Sequence, residues 1–106
     1  MYKKIIKGIS EIHEKYDVVF IDLWGVVHNG IKLNIGAIKV LENLHKLRKR
    51  FVLMSNAPRP SKNVEKFLIK LKINKIYVKN IFTSGEAALR SLKKNRYGKN
   101  FYHLGP

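Results

Sequence analysis

Phe20-Ile21-Asp22-Leu23-Trp24-Gly25-Val26-Val27-His28-Asn29-Gly30 is the most telling stretch of this 106-residue chain. The apolar run Val18-Val19-Phe20-Ile21 ends in one carboxylate, and a glycine-bearing turn follows immediately. A continuous β-branched and aromatic run of this kind predicts a strand buried on both faces of a parallel sheet. Chemistry in open parallel sheets gathers beyond the carboxyl ends of the strands, so Asp22 stands where a nucleophilic carboxylate is displayed. The bland alternative is a carboxylate that caps a turn. Asp17 and Asp22 are the only aspartates, so a mechanism needing several must find the others elsewhere.

Outward from this stretch, helical and strand periods alternate. Ile5, Ile9, Ile12 and Tyr16 form one stripe over Tyr2 to Tyr16, which predicts an N-terminal amphipathic helix over residues 1–16. Residues 17–106 read as alternating strands and helices. Asn34 caps a helix carrying Ala37, Val40, Leu41, Leu44 and Leu47, and Phe51 to Met54 forms the second strand. Pro60-Ser61 opens a helix with Val64, Phe67, Leu68 and Leu71, and the span from Ile73 to Phe82 contains a third strand. Thr83-Ser84-Gly85-Glu86 starts a helix that Tyr97-Gly98 ends, and Phe101 to Leu104 begins one more strand. Short connections between alternating elements imply right-handed crossovers and a parallel α/β sheet in a single domain, 1–106.

Composition narrows the function. With no cysteine, thiolate metal sites, disulfides and a cysteine nucleophile are excluded. No segment has the continuous apolar length of a signal peptide or a membrane span, so a cytoplasmic location and no membrane partner are expected. The formal charge of +15 is spread over every helix and loop without an aromatic-interleaved basic stripe, so no specific nucleic-acid partner is expected. His13, His45 and His103 lie apart, which argues against a histidine metal site.

Three segments in chain order resemble motifs of the haloacid-dehalogenase-like (HAD) hydrolase superfamily, and within it the class IIA branch of small-molecule phosphatases. Asp22 with Gly25-Val26-Val27 resembles the first motif. Leu53-Met54-Ser55-Asn56-Ala57 resembles the second, and Thr83-Ser84-Gly85-Glu86-Ala87 the segment after the third strand. The resemblance runs from about Tyr16 to Pro106. It implies a three-layer Rossmann-like parallel sheet, the N-terminal half of a HAD core without its cap domain. It also implies Asp22 as the nucleophile that becomes an aspartyl phosphate, with Gly25, Ser55 and Asn56 binding the transferring phosphoryl group. Mg²⁺ would be held by Asp22 and the backbone carbonyl of Trp24, with a phosphorylated small molecule as substrate.

The pattern departs from the family at two places. A second aspartate, the family's general acid and base, is replaced by Trp24, as in an uncharacterised class IIA subgroup. An indole cannot cycle a proton, and losing that proton transfer costs roughly 10²–10⁴ in rate. The family's lysine, its acidic fourth motif and its cap would all fall after Pro106. A truncated or split-gene product is therefore expected, with weak or no Mg²⁺ binding and no activity alone. Its first strand would form an edge that self-associates or recruits a complementing C-terminal polypeptide. A noncatalytic remnant or interaction module is the rival reading.

Side chains around these motifs carry open alternatives. Trp24 either stacks on a substrate ring or packs beside its turn. His28 is a substitute acid or a residue of the flap, and Thr83, Ser84 and Glu86 read as a helix N-terminus.

Overall fold

The computed structural model describes residues 4–105. Three strands, β1 (Val18–Asp22), β2 (Arg50–Ser55) and β3 (Ile81–Thr83), form a parallel sheet in the order β1-β2-β3. They alternate with α1 (Ile35–Lys46), α2 (Ser61–Lys70) and α3 (Ser84–Lys93). The parallel α/β architecture read from the sequence is therefore observed. Register aligns Asp22 with Met54 and Met54 with Phe82. Partnered residues share a face, which gives the sheet two unlike sides.

On one side α1 and α2 send Leu41, Leu44, Val64 and Leu68 into a core with Phe51 and Leu53, and Val19, Ile21 and Ile81 pack against it. The opposite side carries Phe20, Val52, Met54 and Phe82. Only Phe82 meets a described cationic partner there, the Arg90 guanidinium of α3, 5.3 Å from its ring centre. Phe20 remains 66% exposed. The expectation of a first strand buried on both faces is thus corrected. Val19 and Ile21 face the core, while Phe20 and Asp22 look out from a side that the described residues cover little. Among the described residues β1 is also an edge of the sheet, as expected.

The helix ends follow local chemistry. The Asn34 side chain accepts from the Gly36 and Ala37 amides and starts α1 as read from the sequence. All three helices close on a left-handed residue that is not glycine: Arg48, Lys72 and Asn95. After α2, for example, Lys72 N–H donates to Ile69 and Ile73 N–H to Leu68, the paired bonds of a Schellman ending. The α3 ending is set by Asn95, a few residues before the expected Tyr97-Gly98.

Two further expectations fail. Over the described part of the N-terminal segment there is no α-helix, only two 3₁₀ turns, Ile9–Glu11 and His13–Lys15; Tyr2 and Lys3 lie outside the described residues. Gly8 is extended, and the Glu11 carboxylate accepts from the Lys7 amide at 2.8 Å, local bonding that competes with a helical ladder. Phe101 to Leu104 forms no strand and is largely exposed, because no described strand lies beside it to accept a ladder.

Candidate active site

Asp22 ends β1 and pairs in register with Met54, so Ser55 stands one residue beyond it at the same carboxyl edge of the sheet. The backbone then turns sharply. Leu23 donates to the Met54 carbonyl at 3.1 Å and accepts from the amides of Val26, Val27 and His28 at 3.2, 2.8 and 3.2 Å. Gly25 adopts φ +82° while donating to the His28 carbonyl at 2.7 Å. No atom crowds its missing Cβ, so backbone conformation alone selects glycine there. Buried Leu23 and Val27 anchor the turn.

Trp24, His28, Ser55, Ala57, Arg59, Asn63, Val64 and Phe67 line one cavity of about 440 Å³. The structure thereby brings Trp24 and Ser55 together. Asp22 lines a separate cavity with Val26 and Phe20, and Gly25 a smaller one that shares Val26 with that cavity and His28 with the first, so Asp22 and Ser55 do not line one cavity. Asn56 is exposed and lines none of the three. The Ser55 Oγ accepts from the Ala57 amide at 3.1 Å, which holds the loop and leaves its O–H free to donate to a ligand. Trp24 is 66% exposed at the cavity rim, an orientation that fits stacking better than packing.

His28 is buried with its ring edge-on to Phe67, the centroids 5.3 Å apart. Its Nδ1 accepts the Gly30 N–H at 2.9 Å, which places the ring proton on Nε2. Burial pushes its pKa down, and the Asp22 charge opposes that less strongly. An imidazole kept neutral by burial and held by an amide donor fits the flap reading better than that of a substitute acid.

The segment after β3 does more than begin a helix. Thr83 Oγ1 accepts from the Glu86 amide and donates to the Arg59 carbonyl, and Gly85 N–H donates to the Ala57 carbonyl at 3.1 Å. A Cβ at Gly85 would lie 2.5 Å from the Arg59 nitrogen. The Glu86 carboxylate accepts from the Ser61 amide at the start of α2 and from Arg90, whose guanidinium foremost pulls its pKa down. β3 and α3 therefore brace the loop from Ser55 to Ser61. Sequence reasoning missed this brace, together with Arg59, Asn63 and Phe67 in the cavity wall. The signal available was the small Gly85 in a helix's first turn.

Asp22 and the Trp24 carbonyl fit part of a magnesium shell. That carbonyl accepts none of the turn's backbone hydrogen bonds, which converge on Leu23 and His28. Mg²⁺ favours one or two carboxylates with retained water. Among the described residues no group of three acidic or histidine side chains adds to them.

Residues 19–106 match the family model for haloacid dehalogenase-like hydrolases. The chain belongs to that family. No curated protein matches significantly. Among solved structures, this HAD-like chain is similar to a haloacid dehalogenase-like hydrolase from Brucella suis 1330, at 27% identity and a TM-score of 0.77 over 85% of this chain and 33% of that one. A 4-nitrophenylphosphatase from Thermotoga maritima matches at 25% identity and a TM-score of 0.65 over 77% of this chain and 32% of that one. A possible sugar phosphatase from Cytophaga hutchinsonii shares the fold at 20% identity and a TM-score of 0.71, over 86% of this chain and 32% of that one. The HAD-like chain thus spans about a third of the length of these structures.

Proposed function

We propose that this chain carries the nucleophile half of a HAD-type phosphatase site, transferring a phosphoryl group from a small-molecule ester through Asp22 to water. The reading is carried by one observation: the register that puts Asp22 and Ser55 at the same end of adjacent parallel strands. Asp22 Oδ attacks phosphorus, and the Ser55 hydroxyl with the loop amides orients the phosphoryl oxygens. Magnesium, held by Asp22 and the Trp24 carbonyl, would offset the charge shared by carboxylate and phosphate. The 4-nitrophenylphosphatase likeness supports the phosphatase class.

Turnover further needs the remainder of a HAD core on the open edge of β1, supplied as a complementing polypeptide or in continuous chain. Its lysine and acidic motif add the missing charge balance. The exposed Phe20 beside that edge favours this over activity of residues 1–106 alone. A cytoplasmic setting suits such chemistry.

The test is release of nitrophenol from 4-nitrophenyl phosphate with magnesium, by the chain alone and by the chain joined to a C-terminal HAD-core segment. Release is expected only from the joined protein, and Asp22→Asn should lower it by at least about a thousandfold. Equal release by the chain alone would remove the need for a second segment, and activity persisting in Asp22→Asn would remove the nucleophile.

A further inference from the structure

At the opposite end of the sheet from Asp22 and Ser55, a cavity of about 340 Å³ opens where β2 begins. Its size lies at the small end of the range for ligand pockets. The chain brings cations to it from two places. Arg48, Lys49 and Arg50 arrive as α1 gives way to β2, and Lys79 follows the 3₁₀ turn Lys75–Val78 that leads into β3. Buried Phe51 and Tyr77 line it as well, with the His45 ring edge-on to Tyr77 at 5.9 Å. In sequence the charge of +15 is evenly spread; folding is what gathers Lys79 beside the run from Arg48 to Arg50.

No carboxyl group lines this cavity. Among the described residues none of the four cations forms an ion pair, the three pairs present using Lys4, Lys46 and Arg90. Lys49 is engaged otherwise, its ammonium donating to the Tyr16 carbonyl. Asp17, one residue before the Val18 that pairs with Arg50, is exposed and forms no ion pair. The α1 dipole accounts for only part of the positive charge, because a helix end carries about half an elementary charge. Lys46 and Arg48 at that end already exceed it, and Arg50 and Lys79 stand beyond the helix. From this surplus we infer that the cavity binds an oligophosphate group, free or carried by a nucleoside, on the Arg48 and Arg50 guanidinium forks and the Lys79 ammonium. Guanidinium forks match phosphate oxygens two at a time, and an ammonium adds a point charge. Cations on separate arms suit successive phosphates, each of which brings further charge to a further donor. Arg50 and Ser55 are the two ends of β2, about 17 Å apart at the rise of a strand, so this ligand is distinct from the phosphoryl group transferred at Asp22.

Isothermal titration of the purified chain tests the site at a fixed ionic strength of about 0.15 M, where screening weakens the long-range pull of the net charge. Magnesium is left out, because it would compete for the ligand. Tripolyphosphate and ATP are each expected to fill one site per chain, at least about tenfold tighter than orthophosphate. Arg50→Gln combined with Lys79→Gln should weaken tripolyphosphate at least about tenfold. Both positions are exposed, so that variant should keep the native circular dichroism. Lys39→Gln combined with Lys66→Gln removes the same charge from exposed positions outside the cavity and should change the affinity by less than about twofold. Equal weakening by the two pairs would mark attraction to net charge alone and overturn the inference, as would orthophosphate binding as tightly as tripolyphosphate. Ser55→Ala should leave the affinity unchanged, and loss of binding there would move the ligand to the Asp22 end and overturn it too. ATP binding tighter than tripolyphosphate would assign the site to a nucleotide, and equal affinity to the free anion; either supports it. Binding of none would overturn the inference and leave the nitrophenol assay of the joined protein to decide the phosphatase reading by itself.

Discussion

At His28 one buried ring links the turn after β1 to the face of α2. Its Nδ1 holds the Gly30 amide and its edge meets Phe67, so protonation would cost both a desolvated charge and a hydrogen bond. The folded-state pKa lies below the ordinary 6.5. The unfolded chain therefore binds more protons in the window from 6.5 down to the folded value, and stability rises with pH across it. His28's contribution is fully present above 6.5 and is lost as pH falls through the lower folded value. Thermal melts from about pH 8 to about pH 5 should show a steeper loss of Tm for the parent chain than for His28→Asn, which keeps an acceptor without a titrating ring. Parallel curves would contradict the burial cost. That Asp22 and Ser55 close β1 and β2 was legible in the sequence because strand ends announce themselves as apolar runs broken by one polar residue. The neutral, locked state of His28 could not, since it depends on a ring from α2 that lies far along the chain.

Among elements, the β2–α2 loop and the α3 N-terminus behave as one unit. Gly85 permits the approach, because a methyl there would meet backbone atoms of Pro58 and Arg59 rather than a flexible side chain. Gly85→Ala should therefore cost about 1–3 kcal/mol and displace the loop bearing Ser55, lowering nitrophenol release by the joined protein more than the stability loss alone explains. Denaturant melts and the nitrophenol assay measure the two effects separately. Helix ends show a different logic. Lys72 occupies φ +72° where glycine carries no Cβ penalty, and Lys72→Gly should raise stability by about 1 kcal/mol in the same melts. Asn34 was readable as a cap because its side chain acts within two residues, and the strand and helix centres were readable from their periods. The α3 ending was not, because Asn95 takes the left-handed position usually assigned to glycine, and Gly98 four residues after Lys94 drew the boundary too late. The N-terminal stripe misled for a related reason: its isoleucines keep helical spacing, but the extended Gly8 breaks the ladder that spacing requires.

The whole molecule is a sheet finished on one side. Its radius of gyration is 16.4 Å, against about 13 Å for a compact chain of this length, and its smallest extent is 25 Å. The α1–α2 side holds the buried core, whereas on the other side Phe20 of the edge strand β1 and Met54 of the central β2 stand 66% and 39% exposed. An apolar edge strand attracts another strand, but a formal charge of +15 repels a second copy. Salt decides between them: the screening length shrinks from about 30 Å at 0.01 M to about 10 Å at 0.1 M, while apolar attraction is not weakened by screening. Sedimentation velocity should accordingly find the chain monomeric at low ionic strength and associating as salt increases. Phe20→Lys, on a side chain already mostly in solvent, should suppress that salt-driven association with little change in Tm. If association proved independent of salt, or persisted unchanged in Phe20→Lys, the contact would lie away from β1, and the exposed edge would lose its standing as the surface proposed to receive a complementing segment.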